Sequence, residues 1–160
     1  MSLESLWVRI DNRLIHGQVI EAWLPYTGAS TIIVANDEVA GDSIQQEIMS
    51  LAIPQNTTSL FVHVERTQLA LVQAMSGHPL AALVLFSSCA DARRAFERGF
   101  QFESLNVGNI HYKPGRRQIS PSVALSTDDE SCLRFFSQHG VSLDFRCVPN
   151  DPVQAGLVVG

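Results

Sequence analysis

The stretch LWVRIDNRLIHGQVIEAWL, residues 6–24, changes its periodicity partway along. LWVRI (6–10) is a short apolar run of strand type, whereas GQVIEAWL (17–24) spaces its apolar residues as a helix does. The alternation recurs: TIIVAN (31–36) precedes DEVAGDSIQQEIMSLA (37–52), SLFVHV (59–64) precedes ERTQLALVQAM (65–75), and AALVLFS (81–87) precedes CADARRAFERG (89–99) and SLNVG (104–108). Strand followed by helix, several times over, is the pattern of crossovers feeding a parallel sheet. The strands are apolar on both faces, which requires helices on both sides. The expected fold is α/β: a doubly wound, largely parallel open sheet with helices on both faces, formed as one domain by residues 1–160.

Past residue 108 the rhythm breaks. NIHYKPGRRQISPSVAL (109–125) holds a Pro-Gly turn between two short strand candidates and reads as a hairpin, giving the sheet an antiparallel edge near the C-terminus. STDDESCLRFFSQHG (126–140) has a Ser or Thr cap, acids in its first turn, Leu133, Phe135 and Phe136 at inward positions, and Gly140 as its stop. VSLDFRCVP (141–149) alternates apolar and polar residues, as a half-exposed edge strand does.

Composition narrows the function. A chain of 160 residues with 46% hydrophobic content can bury one substantial core. Its formal charge of −5, with Lys113 its only lysine, argues against a phosphate-tracking surface for nucleic acid. Cys89, Cys132 and Cys147 are odd in number and widely spaced, which suits neither a disulfide framework nor a zinc site and fits reduced thiols in the cytoplasm. The longest apolar run, LAALVLF (80–86), falls far short of the ~20 residues of a membrane span. No motif asks for a cofactor or a metal.

Chemistry concentrates in residues 11–16, Asp-Asn-Arg-Leu-Ile-His, at the carboxyl end of the first strand. Open α/β sheets bind ligands in the crevice beyond such strand ends, and a helix start favours anions. A neutral His16 imidazole can attack a phosphoryl group and later release it near neutral pH. Arg13 offers a permanently charged fork for phosphoryl oxygens. Asp11 can hold the second imidazole nitrogen or orient Arg13. Backbone groups of Leu14, Ile15, Gly17 and Gln18 can complete a phosphate nest, Gly17 allowing close approach. Asn12, Asn36, Asp37, Ser87 and His111, all at or after strand ends, belong to the site's periphery. His63 in a strand and His139 at a helix end read as structural, His78 as a loop residue, and Trp7 and Trp23 as core. Arg9, Arg13 and Arg116 or Arg117 make a rim suited to an acidic partner face.

The segment VRIDNRLIHGQV (8–19) resembles the active-site loop of the IIB subunits of the mannose/fructose/sorbose type of bacterial sugar phosphotransferase system. The likeness continues in IIVANDEVA (32–40), LNVGNIHYKPGRRQIS (105–120) and VPND (148–151), covering nearly the whole chain. It implies that His16 takes a phosphoryl group on Nδ1 from a phosphorylated IIA domain, with Arg13 as phosphate partner, and passes it to a sugar held by membrane IIC and IID subunits. It also implies a cytoplasmic protein associated peripherally with the membrane through IIC and IID, a seven-stranded sheet, and room for a homo-oligomer. The chain departs from the family at Asn12, where a second acid is common, and at Ser87, where a lysine is frequent. Two other functions compete. A histidine phosphatase or mutase would place its arginine directly before the histidine, where this chain has Ile15; a regulatory IIB-like sensor would keep the same loop without feeding sugar uptake.

Overall fold

The computed structural model describes residues 3–76 and 79–153, so the loop reading of His78 lies outside the described residues. The strands in chain order are β1 (Leu3–Asp11), β2 (Thr31–Ala35), β3 (Thr58–Val62), β4 (Leu80–Phe86), β5 (Ser104–Asn109), β6 (Arg117–Ser120), β7 (Val123–Leu125) and β8 (Ser142–Asp144). Six of them form one sheet in the order β3-β2-β4-β1-β5-β8, parallel at every pairing. The helices are α1 (Leu24–Thr27), which continues a π-helical turn over Val19–Trp23, then α2 (Asp37–Ala40), α3 (Ser43–Leu51), α4 (Thr67–Ala74), α5 (Cys89–Glu97) and α6 (Thr127–Gln138).

The doubly wound reading holds because successive strand residues point into two different cores. Ile33 and Ala35 of β2 and Ala82, Val84 and Phe86 of β4 pack with α4, α5 and α6; Ile32, Val34, Leu83 and Leu85 pack on the other face with Val19, Trp23 and Val39. All seven residues of β4 are buried. Each fully buried Val, Leu or Phe contributes roughly 1.5–3 kcal/mol, so this strand alone anchors both layers.

Several details differ from the expectation. Among the described residues the main sheet has six strands rather than seven, and the antiparallel pair is a separate two-stranded sheet, β6-β7. Pro114 and Gly115 do form a turn, with Arg116 N–H donating to Lys113 O at 3.0 Å and Gly115 at φ 91°. The hairpin, however, turns at residues 121 and 122, because Val123 is drawn beside Ile110 at the end of β5. The segment 37–52 breaks at Gly41, and Asp42 caps α3 through Ile44 N and Gln45 N. The last strand shrinks from 141–149 to β8, since Arg146 and Cys147 leave the ladder to reach the site. Phe135 is only partly buried, and His63 follows β3 as an exposed residue beside Asp37. Helix α6 is as expected, closed by a capping box between Ser126 and Asp129.

Topology places the crevice. From β1 the chain crosses β4 to reach β2, whereas β5 leads outward to β8, so the loops after β1 and β5 diverge and leave a gap between neighbouring strand ends. The ladder there is irregular: Ile10 pairs with Val107, but Asp11 pairs with Asn109. Gly108 is the extra residue of a β-bulge, a device that re-aims neighbouring side chains.

Candidate active site: the loop after strand β1

Residues 12–18 turn sharply from β1 into the first helix. Asn12 N–H donates to Asn109 O at 3.0 Å, tying the loop to β5, and Leu14 N–H donates back to Asp11 O at 2.9 Å. Leu14 adopts φ 57°, a left-handed conformation that costs a non-glycine residue about 1–2 kcal/mol. The loop holds because Leu14 and Ile15 are buried in the same cluster as Val19 and Trp23. Of the expected phosphate-nest groups, the Leu14 amide is therefore already engaged. Ile20 N–H bonds His16 O at 3.1 Å, so the amides of residues 17–19 are the unpaired donors of a helix start. A Cβ on Gly17 would meet nothing within 4 Å, which leaves the space above this turn open.

Asp11 is the hub. Its side chain is fully buried, and Oδ2 accepts from His16 Nε2 at 2.7 Å and from Arg9 Nη2 at 2.9 Å. Oδ1 accepts the Arg13 backbone N–H at 3.0 Å and lies 3.7 Å from Arg13 Nε. Asp11 thus contacts both His16 and Arg13. An ionised carboxylate can only accept, so this contact favours the tautomer with the proton on Nε2 and the lone pair on Nδ1. Arg13 is braced from the other side by Gln18, whose Oε1 accepts from its Nη2 at 3.0 Å. Its side chain is 47% exposed, beside an open cleft of about 720 Å³ lined also by Gln18, His111, Tyr112 and Arg146.

Burial alone would raise the Asp11 pKa, but the His16 hydrogen bond, the Arg9 charge and the Arg13 amide outweigh it and hold the carboxyl below its ordinary value. A depressed native pKa gives stability that is complete above the unfolded value of about 3.9 and lost as pH falls through the native one. Thermal midpoints measured between roughly pH 2 and 5 should therefore fall steeply in the wild-type protein and less steeply in Asp11→Asn. Equal slopes for the two proteins would show that Asp11 does not titrate as described.

Arg9 is not on the rim. It is 1% exposed, with its guanidinium beneath Asp11, Nη1 donating to Asn106 Oδ1 at 2.6 Å and to Arg146 O at 3.3 Å, and its Cζ 5.0 Å from the Trp23 ring centre. Gly108 makes this possible, since a Cβ there would lie 1.9 Å from Nη1. Asn106 and Gly108 are the site residues the sequence reading missed, Arg9 was read as a rim cation, and Trp23, read as core, is buried in the core and also backs the Arg9 guanidinium. Two signals pointed to them: a charge inside a strand buried on both faces must be paired, and a glycine within a strand marks a close approach. The remaining rim candidates are engaged as well, Arg117 with Glu130 at 2.6 Å and Arg116 with the His111 carbonyl at 2.8 Å.

The peripheral candidates separate into groups. Asn12 sets its amide against His111 Nδ1, beside the loop. Asn36 caps α2 through Val39 N and donates to Ser87 Oγ at 3.0 Å, bridging the ends of β2 and β4; Ser87 also lines a small cleft with Asn12, His111 and Lys113. Asp37 belongs elsewhere, accepting from Val64 N at 2.9 Å and pairing with Arg94 in a cluster with His63 and Glu65.

Comparison with known proteins supplies the family. Residues 5–156 match the model of the PTS system sorbose subfamily IIB component. The chain is 35% identical over 147 residues to the N-acetylgalactosamine-specific phosphotransferase enzyme IIB component 1 of Escherichia coli K12, covering 91% of this chain and 92% of that protein. It is 31% identical to the mannose-specific EIIAB component of the same organism, covering 90% of this chain and 44% of that longer protein. The crystal structure of the IIB domain of the sorbose permease from Klebsiella pneumoniae superposes with a TM-score of 0.84 at 30% identity, over 96% of this chain and 94% of that one. Among the described residues, no helix is long and apolar enough to cross a membrane. The chain belongs to the sorbose subfamily of IIB components, within the mannose/fructose/sorbose family of the sugar phosphotransferase system.

Proposed function

We propose that this protein is a phosphoryl carrier, taking a phosphoryl group on His16 Nδ1 from a phosphorylated IIA domain and passing it to a sugar presented by membrane IIC and IID subunits. The observation that carries this reading is the 2.7 Å hydrogen bond between His16 Nε2 and Asp11 Oδ2. It fixes the ring and leaves Nδ1 as the nucleophile. In the transfer, the Nδ1 lone pair forms the new N–P bond as the donor's bond to phosphorus breaks, and the donor nitrogen keeps the bonding pair. The positive charge that develops on the His16 ring faces the Asp11 carboxylate. Negative charge spread over the phosphoryl oxygens meets the Arg13 fork and the amides of residues 17–19.

A IIA donor is supported by the EIIAB relative, whose name joins the two components in one protein. The relatives' names cover N-acetylgalactosamine, sorbose, mannose and fructose, which supports a sugar as the final acceptor. Handing the group to a membrane-held sugar requires a cytoplasmic protein that meets IIC and IID at the membrane face. The wild-type protein, incubated with phosphorylated IIA, should gain one acid-labile, alkali-stable phosphoryl group, mapped by peptide analysis to His16. A label on any other residue, or none, refutes the reading.

A further inference from the structure

Beneath the loop lies the Arg9 guanidinium, which bonds Asp11 rather than His16. Arg9 reaches Asp11 Oδ2 with two donors, Nη2 at 2.9 Å and Nε at 3.3 Å, while Nη1 spans to Asn106 Oδ1 and the Arg146 carbonyl. Asn106 is 3% exposed and is itself held through Nδ2, which donates to Arg146 O at 3.0 Å and Asp144 Oδ2 at 3.3 Å. Burying a guanidinium is costly unless every donor is met, and here the strand bulge, a glycine and an asparagine are all arranged around it. A strand interior needs no such arrangement for packing; an aliphatic side chain would fill the space.

We propose that Arg9 is a positioning residue for phosphoryl transfer: it holds Asp11 as a fixed anion, so that Asp11 orients the His16 ring without taking its Nε2 proton. This inference rests on the reading of His16 as the phosphoryl acceptor. When Nδ1 bonds to phosphorus with Nε2 still protonated, the ring becomes a phosphorylated imidazolium. Movement of that proton to Asp11 Oδ2 would leave a neutral phosphorylated ring. Onward transfer from the neutral ring must expel imidazolate, whereas transfer from the protonated ring expels neutral imidazole, a far better leaving group. Arg9 donates to the same oxygen that faces the Nε2 proton, which makes that oxygen a poor proton acceptor. Arg9 thereby keeps the carried phosphoryl group ready to leave. Only a planar fork can serve Asp11, Asn106 and the Arg146 carbonyl together while lying near the face of Trp23, so lysine is no substitute.

The test uses Arg9→Lys, which keeps the charge and loses the fork, and Gly108→Ala, which keeps Arg9 and displaces its guanidinium. Folding is checked by circular dichroism, and ¹⁵N NMR of the phosphorylated protein locates the Nε2 proton at neutral pH. Both variants should accept phosphoryl from phosphorylated IIA, show the Nε2 proton lost or shared, and pass the group onward about 10- to 100-fold more slowly, the usual size for loss of a partner that orients a histidine. In an Asp11→Asn background the added Arg9→Lys change should have less than about a twofold effect, because its route of action is gone. Wild-type proton placement and transfer rates in both folded variants, or full additivity with Asp11→Asn, overturn the proposal. If neither variant folds, the wild-type protein decides: phosphorylated His16 must keep its Nε2 proton at neutral pH, and a neutral phosphorylated ring refutes the role of Arg9. Absence of label on wild-type His16 is a different failure, of the carrier reading itself, and this inference falls with it.

Discussion

Asp11→Asn is expected to slow single-turnover phosphoryl transfer to His16 on the order of 10⁴-fold, the loss seen when a carboxylate supporting a catalytic imidazole becomes an amide and the ring takes the wrong tautomer. The amide has no acceptable orientation here. With its NH₂ in place of Oδ2, it points donors at Arg9 and at His16 Nε2, which moves the ring proton onto Nδ1 and removes the nucleophile. Turned over, it sets NH₂ against the Arg13 backbone N–H. The same change leaves the buried Arg9 charge without its partner, which typically costs about 3–5 kcal/mol of stability. Urea denaturation beside stopped-flow transfer, at a temperature where the variant stays folded, separates the two losses. Transfer within about tenfold of wild type would mean that the ring tautomer is not under Asp11's control.

Arg13→Lys carries the second large effect. Arg13 is half-exposed, so the variant's thermal midpoint should move by no more than a few degrees. Its fork, however, is aimed by Gln18 on one side and Asp11 on the other, and a lysine ammonium cannot meet both while also spanning two phosphoryl oxygens. Removing one preorganised charge partner from a transition state costs on the order of 10²–10³ in rate. Single-turnover transfer from phosphorylated IIA measures it. A rate close to wild type would reduce Arg13 to a steering charge and move the phosphate clamp to the helix-start amides.

The fold was readable wherever one local signal governed. The β2 and β4 runs are continuous and apolar because helices cover both faces, and α6 announces both its ends through Ser126 and Gly140. Reading failed where a distant contact governed. Pro114 and Gly115 make a genuine turn, yet the register of β6 and β7 is set by Val123 meeting Ile110, which no local pattern encodes. The tail of 141–149 alternates like a strand, yet Cys147 O is taken by Trp23 Nε1 at 2.8 Å, far away in sequence. The site divides the same way. His16, Arg13 and Asp11 lie within six positions and declare themselves by residue type. Arg9 was misplaced on the rim because its partners, Asn106 and Gly108, are brought beside it only by the β1-β5 pairing. Asp37 follows a strand end, as site residues do, but the Val64 amide and Arg94 draw it into a different cluster.

The central claim is that Asp11 holds His16 Nε2 so that Nδ1 carries the phosphoryl group. ¹⁵N-histidine labelling of the wild-type protein, read by NMR before and after phosphorylation by phosphorylated IIA, tests it most directly. The account predicts an Nε2–H tautomer in the free protein and, after transfer, phosphorus coupling at Nδ1 of His16. Coupling at Nε2, or an Nδ1–H tautomer in the free protein, would contradict it.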